Sequence, residues 1–201
     1  MAASRGTSTT ELNCLLDKAL TGTPVHALGV FAADKVPLQL IKSTSNAIAF
    51  IVNTDKANKS GEHWLGFFKP SGLASRLEFF DSYGIDLKFY PSVYQSIKRS
   101  GLTIVDVNNN ALQSIASATC GEFCLFYLSC RAQGFSSRRI VGRLLRLNTA
   151  VERDKLATFF VSKFRSVRCT FASICNPSDC RRDQCCLAPC SKSRELNSRN
   201  K

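Results

Sequence analysis

The chain has 201 residues, 44% of them hydrophobic, and a formal net charge of +12. That length suits one compact domain with a tail, and the hydrophobic share is enough for a buried core. No apolar run reaches the ~18 residues of a membrane-spanning helix, and the N-terminus has no apolar stretch of the secretory kind, so an intracellular protein with no membrane partner is expected.

The charge is unevenly placed. Residues 1–130 hold 11 Lys/Arg and 10 Asp/Glu, whereas residues 131–201 hold 16 and 5. Such an imbalance points to a polyanionic partner, most simply DNA, although a basic surface also serves solubility alone. Of the 10 cysteines, Cys169, Cys175, Cys180, Cys185, Cys186 and Cys190 crowd the C-terminus. Without a secretory signal, reduced thiols are expected.

Residues 1–7 read as a frayed end. Ser8 and Glu11 have capping-box spacing, and Leu12, Leu15, Leu16, Ala19 and Leu20 recur at helical intervals. Residues 28–42, broken by Gly29 and Pro37, read as short extended or turn pieces. Residues 47–52 form a continuous apolar run of buried-strand length. Further strands are expected over 63–68 and 76–80, joined by hairpin-length loops and hence antiparallel. Pro91 opens a helix that reaches Ser100. A fourth strand covers 102–107, and 111–119 is a small-residue loop.

A helix then runs from Cys120 to Ala132. Ser136 to Leu147 reads as a basic amphipathic helix, with Ile140, Val141, Leu144, Leu145 and Leu147 inward and Arg138, Arg139, Arg143 and Arg146 outward. A last helix over 151–167 turns Leu156, Phe159, Phe160 and Phe164 inward. The order gives an α+β fold with a central mixed or antiparallel sheet packed by helices. It divides the chain into a domain over 1–167 and a basic, cysteine-rich tail over 168–201.

The chemistry gathers around Cys120, which precedes Gly121 where a loop becomes an apolar helix. A helix N-terminus and a nearby imidazolium both favour a thiolate, the effective nucleophile. The chain has two histidines. His63, in Gly61-Glu62-His63-Trp64, opens a core strand, whereas His26 lies in a loop and is the less supported base. Asp81 ends the neighbouring strand, so two adjacent strands would bring it to His63 at one sheet edge. The Cys120 backbone N–H and the Gln113 side-chain amide supply donors for an oxyanion, and Gly121 leaves room for substrate. Taken singly, each is more often structural: a helix-opening cysteine is usually a small buried hydrophobe, and an aspartate after a strand a turn former. Their combined order points to a cysteine protease. Cys14, Cys124 and Cys130 read as core residues, with Cys124 beneath the nucleophile.

Residues 49–54 followed by Gly61-Glu62-His63-Trp64, then Phe79-Phe80-Asp81-Ser82-Tyr83-Gly84, then Gln113 to Cys124, resemble the adenovirus-type maturation cysteine proteases. That group includes enzymes of Maverick/Polinton-type DNA transposons, and its clan includes the SUMO-specific proteases. The resemblance covers about residues 12–165. It implies a papain-like arrangement with the cysteine at the N-terminus of a central helix, a triad of His63, Asp81 and Cys120, and Gln113 in the oxyanion hole. Adenovirus members carry glutamate where this chain has Asp81, so the shorter carboxylate must come closer to His63. A monomer in the virion or host nucleus is expected. It would cut capsid precursors after a small residue such as glycine, with no cofactor for the chemistry and with DNA and a short peptide as activators. Two other functions share the motif order: deconjugation of a SUMO- or ubiquitin-like modifier, and a catalytically silent DNA-binding relative.

In the tail, Cys175, Cys180, Cys185, Cys186 and Cys190 could offer four thiolates to zinc, but the usual pair of Cys-x2-Cys motifs is missing. No metal site is expected there.

Overall fold

The computed structural model describes residues 6–72 and 76–165. The boundary expected at 167 and the tail from 168 onward, with its zinc-compatible cysteines, lie outside the described residues.

Three central strands follow the apolar runs closely: β2 (Ile48–Asn53), β3 (Trp64–Lys69) and β4 (Arg76–Phe80). β3 pairs antiparallel with both neighbours. Two outer strands complete a five-stranded mixed sheet in the order β1-β2-β3-β4-β5. β1 (His26–Phe31) lies parallel to β2, and β5 (Thr103–Asp106) parallel to β4. β1 was not evident as a strand in the sequence. Its register shifts between Ala27 and Gly29, and Gly29 has a φ of 124°, so a bulge interrupts the alternation that marks a strand.

The sheet is covered on both faces, which explains why β2 and β3 are apolar throughout rather than alternating. Ile48, Phe50, Val52, Leu65, Phe67, Leu77 and Phe79 pack toward Ile41 of α2 (Leu38–Ser43) and Val93 and Ile97 of α3 (Pro91–Arg99). Ala49, Ile51, Phe68 and Phe80 face α1 (Thr9–Leu20), α4 (Cys120–Ala132), α5 (Ser137–Leu145) and α6 (Ala150–Arg165). Every residue of α4 except Arg131 is buried. It is the central helix, apolar all round because elements surround it. Among the described residues, no helix is long and apolar enough to cross a membrane.

Several expectations are corrected. Ser8 caps α1 by accepting from the Glu11 amide, but the Glu11 carboxylate pairs with Arg165 instead of reaching back. Thr7 is buried and its carbonyl accepts from the Trp64 indole, so the chain is already anchored there. Cys14 is exposed rather than core, and Leu145 and Phe159 also face solvent.

Arg131, counted above with the basic C-terminal third, is not on a basic surface. Its Nε and Nη2 donate to the buried Glu78 at 2.7 and 3.0 Å, and its guanidinium lies 4.4 Å from the Phe68 ring centroid. Tyr127 and Ser137 also donate to Glu78. Removing one partner of such a pair strands a buried charge. Arg131→Ala is therefore expected to cost about 3–5 kcal/mol in urea unfolding, whereas a change below about 1 kcal/mol would mean that Glu78 is better solvated than its surroundings suggest.

Candidate active site

The β3–β4 pairing places Gly66 opposite Phe80, so His63, just before β3, and Asp81, just after β4, meet at one end of the sheet. His63 Nε2 lies 2.6 Å from Asp81 Oδ1. The shorter carboxylate thus reaches the imidazole. With Nε2 engaged, Nδ1 is left for Cys120, which is near enough to help raise the imidazole pKa. His63, Asp81 and Cys120 are all buried, Cys120 retaining 8% exposure at the first position of α4. His26 is an exposed residue at the start of β1 and takes no part.

The acid sits in a tight turn. The Gly84 amide donates to the Asp81 carbonyl, and Gly84 has a φ of 68°. A Cβ there would lie 2.5 Å from the Asn110 backbone nitrogen, so only glycine fits. Asp81 Oδ1 also accepts from the Tyr83 amide, and Oδ2 accepts from the Ile85 amide and the Tyr90 hydroxyl, both at 2.9 Å. Asn108 donates to the Asp81 carbonyl at 2.6 Å. Tyr83 and Tyr90 stack on the imidazole with ring centroids 4.9 and 5.9 Å away.

The Gln113 loop is tied to the same turn. The Leu112 and Gln113 amides donate to the Ser82 carbonyl, and Ser82 Oγ donates to Gln113 Oε1 at 2.7 Å. Gln113 Nε2 donates to the Ser117 carbonyl at 2.9 Å and to the Tyr83 hydroxyl at 3.2 Å. From the other side, buried Asp154 of α6 accepts from the Ser114 amide and from Thr119 Oγ1, and Arg153 donates to the Leu112 carbonyl. With Thr119 engaged by Asp154, it makes no side-chain cap on α4. The first amides of that helix have no intrahelical partner, so positive potential is left at Cys120. Cys120, His63, Trp64, Tyr83 and Gln113 line one cleft of about 680 Å³.

Ser82, Tyr83, Tyr90, Asn108 and Asp154 were missed in the sequence. Ser82 and Tyr83 stand inside the Phe79–Gly84 segment, in which only Asp81 is given a role from sequence. Gly121 has a different role from the one expected. A Cβ on it would point at Leu12 of α1, 3.0 Å from Cδ2, and at Trp64, so it allows close packing of α1 on α4. Cys124 does lie beneath the site, its thiol donating to the Trp64 carbonyl.

The arrangement can hold a thiolate–imidazolium pair. Burial is the strongest single influence on His63 and disfavours its charge, but the hydrogen bonds and charges of Asp81 and Cys120 outweigh it and raise His63 from 6.5 to about 9. A folded-state value above the unfolded one gives stability that is fully present below about 6.5 and lost as pH rises through about 9. The urea midpoint is expected to fall across that window, and His63→Gln to flatten the fall. An unchanged slope in that variant would assign the titration to another group.

A thiol at a helix N-terminus, with imidazole and carboxylate in line and an amide loop alongside, defines a Cys–His–Asp site on a mixed sheet. The chain belongs to the adenovirus endoprotease family, whose family model matches residues 27–151. It is 31% identical over 137 residues to the protease of ovine adenovirus D serotype 7, covering 62% of this chain and 65% of that one. It is 35% identical over 92 residues to the protease of bovine adenovirus 4, covering 40% and 45%. The chain thus spans roughly half to two thirds of the length of these curated relatives. A crystal structure of an ASFV protease matches at 23% identity and a TM-score of 0.37, over 56% of this chain and 43% of that one.

Proposed function

We propose that this chain is a cysteine endopeptidase with Cys120 as nucleophile, His63 as general base and acid, Asp81 as its orienting carboxylate and Gln113 in the oxyanion hole. The observation that carries the reading is the 2.6 Å contact from His63 Nε2 to Asp81, with Cys120 opening α4 on the same cleft. Cys120 Sγ attacks the scissile carbonyl as thiolate. The carbonyl oxygen takes the negative charge, held by backbone N–H groups at the start of α4. Collapse breaks the C–N bond, and the His63 proton goes to the leaving amine. Water then loses a proton to His63, attacks the thioester, and releases the acid with Cys120 restored.

The substrates proposed are precursor proteins of a capsid, cut after a small residue such as glycine, in a virion or host nucleus. The family relationship supports this reading. DNA is proposed as an activator and a short peptide as a second. Arg138, Arg139 and Arg146 are exposed on or just beyond α5, and Arg143 is half-buried on the same helix. That face, and the charge of the last third, supports a phosphate contact.

The test compares cleavage of a glycine-containing peptide with cleavage of a SUMO fusion, with and without duplex DNA, over a salt series. Peptide cleavage that DNA stimulates, with the effect fading as salt rises, is expected. Cleavage of the fusion alone would replace this reading with deconjugation, and a salt slope near zero would remove DNA from it.

A further inference from the structure

The loop from Gln113 to Cys120 carries a proposed oxyanion donor at each end. Its tip stands in solvent, with Ile115 94% exposed, so polar ties rather than packing must shape it. Ser117 bonds the Ser114 carbonyl through its amide and hydroxyl, at 3.1 and 3.0 Å, which folds the middle of the loop. Ser82 holds the Gln113 end to the Asp81 turn. The tie between the two ends comes from α6. Asp154 accepts from the Ser114 amide at 3.3 Å, one residue after Gln113, and from Thr119 Oγ1 at 2.9 Å, one residue before Cys120. Its neighbour Arg153 donates to the Leu112 carbonyl at 2.8 Å, one residue before Gln113. The Asp154 carboxylate is 8% exposed, and the two groups that donate to it are neutral. Burying a charge costs stability, so an apolar side chain would serve packing at least as well. What the carboxylate adds is acceptors at a fixed spacing beside both donors.

We propose that Asp154 is a positioning residue for the oxyanion hole: it clips the Ser114 and Thr119 ends of the loop together and so sets the gap between the Gln113 side chain and the Cys120 N–H. The inference rests on the roles given above to Cys120 and Gln113. Asp154 touches neither substrate nor the reacting atoms. It acts through the placement of the two donors, and a misplacement of about 1 Å in such groups costs on the order of 10²-fold in rate.

Asp154→Ala is expected to lower kcat by about 10²-fold with KM nearly unchanged. A peptide aldehyde, whose adduct with Cys120 carries the tetrahedral oxygen, should lose affinity by the same factor. Alkylation of Cys120 by iodoacetamide develops no oxyanion, so its rate and pH profile should stay as in wild type. In a Gln113→Ala background, Asp154→Ala should cost no more than about threefold further, because residues that act through one another are not additive. Thr119→Val keeps the side-chain shape and removes the hydroxyl, and should lower kcat by about tenfold, the size of one hydrogen bond, with the same aldehyde and alkylation pattern. Wild-type kcat in Asp154→Ala would overturn the proposal, as would wild-type kcat in Thr119→Val where the alanine variant does not fold. Full additivity with Gln113→Ala would also overturn it. So would alkylation that slows with kcat, since the thiol and imidazole themselves would then have moved. A Gln113→Ala enzyme that cleaves like wild type would sink the parent role of Gln113 and this proposal with it, whereas loss in Gln113→Ala without loss in Asp154→Ala sinks this proposal alone.

Discussion

Cys120→Ala is expected to lower peptide cleavage by about 10⁶-fold, to the background of the assay, while the protein stays folded. With Cys120 as the proposed nucleophile, the chemistry passes through one sulfur that no neighbour can replace. Cys124, one turn on, is fully buried and donates to the Trp64 carbonyl. Burial pushes its thiol well above the ordinary value, with the charge of Cys120 adding to the effect. It stays a thiol and faces the sheet: a Cβ on Gly66 of β3 would stand 3.6 Å from its sulfur. Cys124→Ser should therefore leave kcat nearly unchanged. The fold should survive Cys120→Ala because α4 is anchored by Phe123, Leu125, Phe126, Tyr127 and Leu128, all inside the core. Circular dichroism melting checks the fold and a fluorogenic peptide checks the rate. Residual cleavage by Cys120→Ala anywhere near wild type would end the cysteine-protease reading.

Asp81→Asn should lower kcat by about 10⁴-fold, and for a reason visible in the bonding. The carboxylate accepts from His63 Nε2, the Tyr83 and Ile85 amides and the Tyr90 hydroxyl. An asparagine has one oxygen for these donors. If it serves Ile85 and Tyr90, its NH₂ faces His63 and demands an unprotonated Nε2. The ring proton then sits on Nδ1, toward Cys120, and the imidazole can no longer take the thiol proton. If the amide turns over, the NH₂ opposes two donors and the turn loosens. The alkaline limb of the cleavage profile near 9, set by His63, should disappear in this variant. Iodoacetamide alkylation across pH measures the same loss at the sulfur. An Asp81→Asn enzyme with wild-type rate and profile would show that His63 needs no acceptor.

The sequence made the centre of the fold and the reacting groups legible, because both rest on local signals. β2, β3 and β4 are buried on both faces and so are continuous apolar runs, and α1 carries its own cap at Ser8. His63 and Asp81 sit at adjacent ends of two antiparallel strands, so their meeting followed from topology alone. What stayed hidden depends on contacts far apart in the chain. Asp154 is buried on α6, a face where an apolar side chain would be expected, because it holds the Ser114 and Thr119 region. Phe159 is exposed on the same helix. Arg131 looks like surface charge until Glu78, from β4, is placed beside it. Tyr83 follows Asp81 by two positions, and nothing local distinguishes it from an ordinary turn residue.

The anchoring of the Gln113 loop on α6 sets an order in time. His63, Asp81, Gln113 and Cys120 are all synthesised before Arg153 and Asp154, which grip the loop at Leu112, Ser114 and Thr119. A growing chain on the ribosome therefore carries its whole reactive set while that loop still lacks its α6 anchors. The loop gains these contacts only after α6 has emerged.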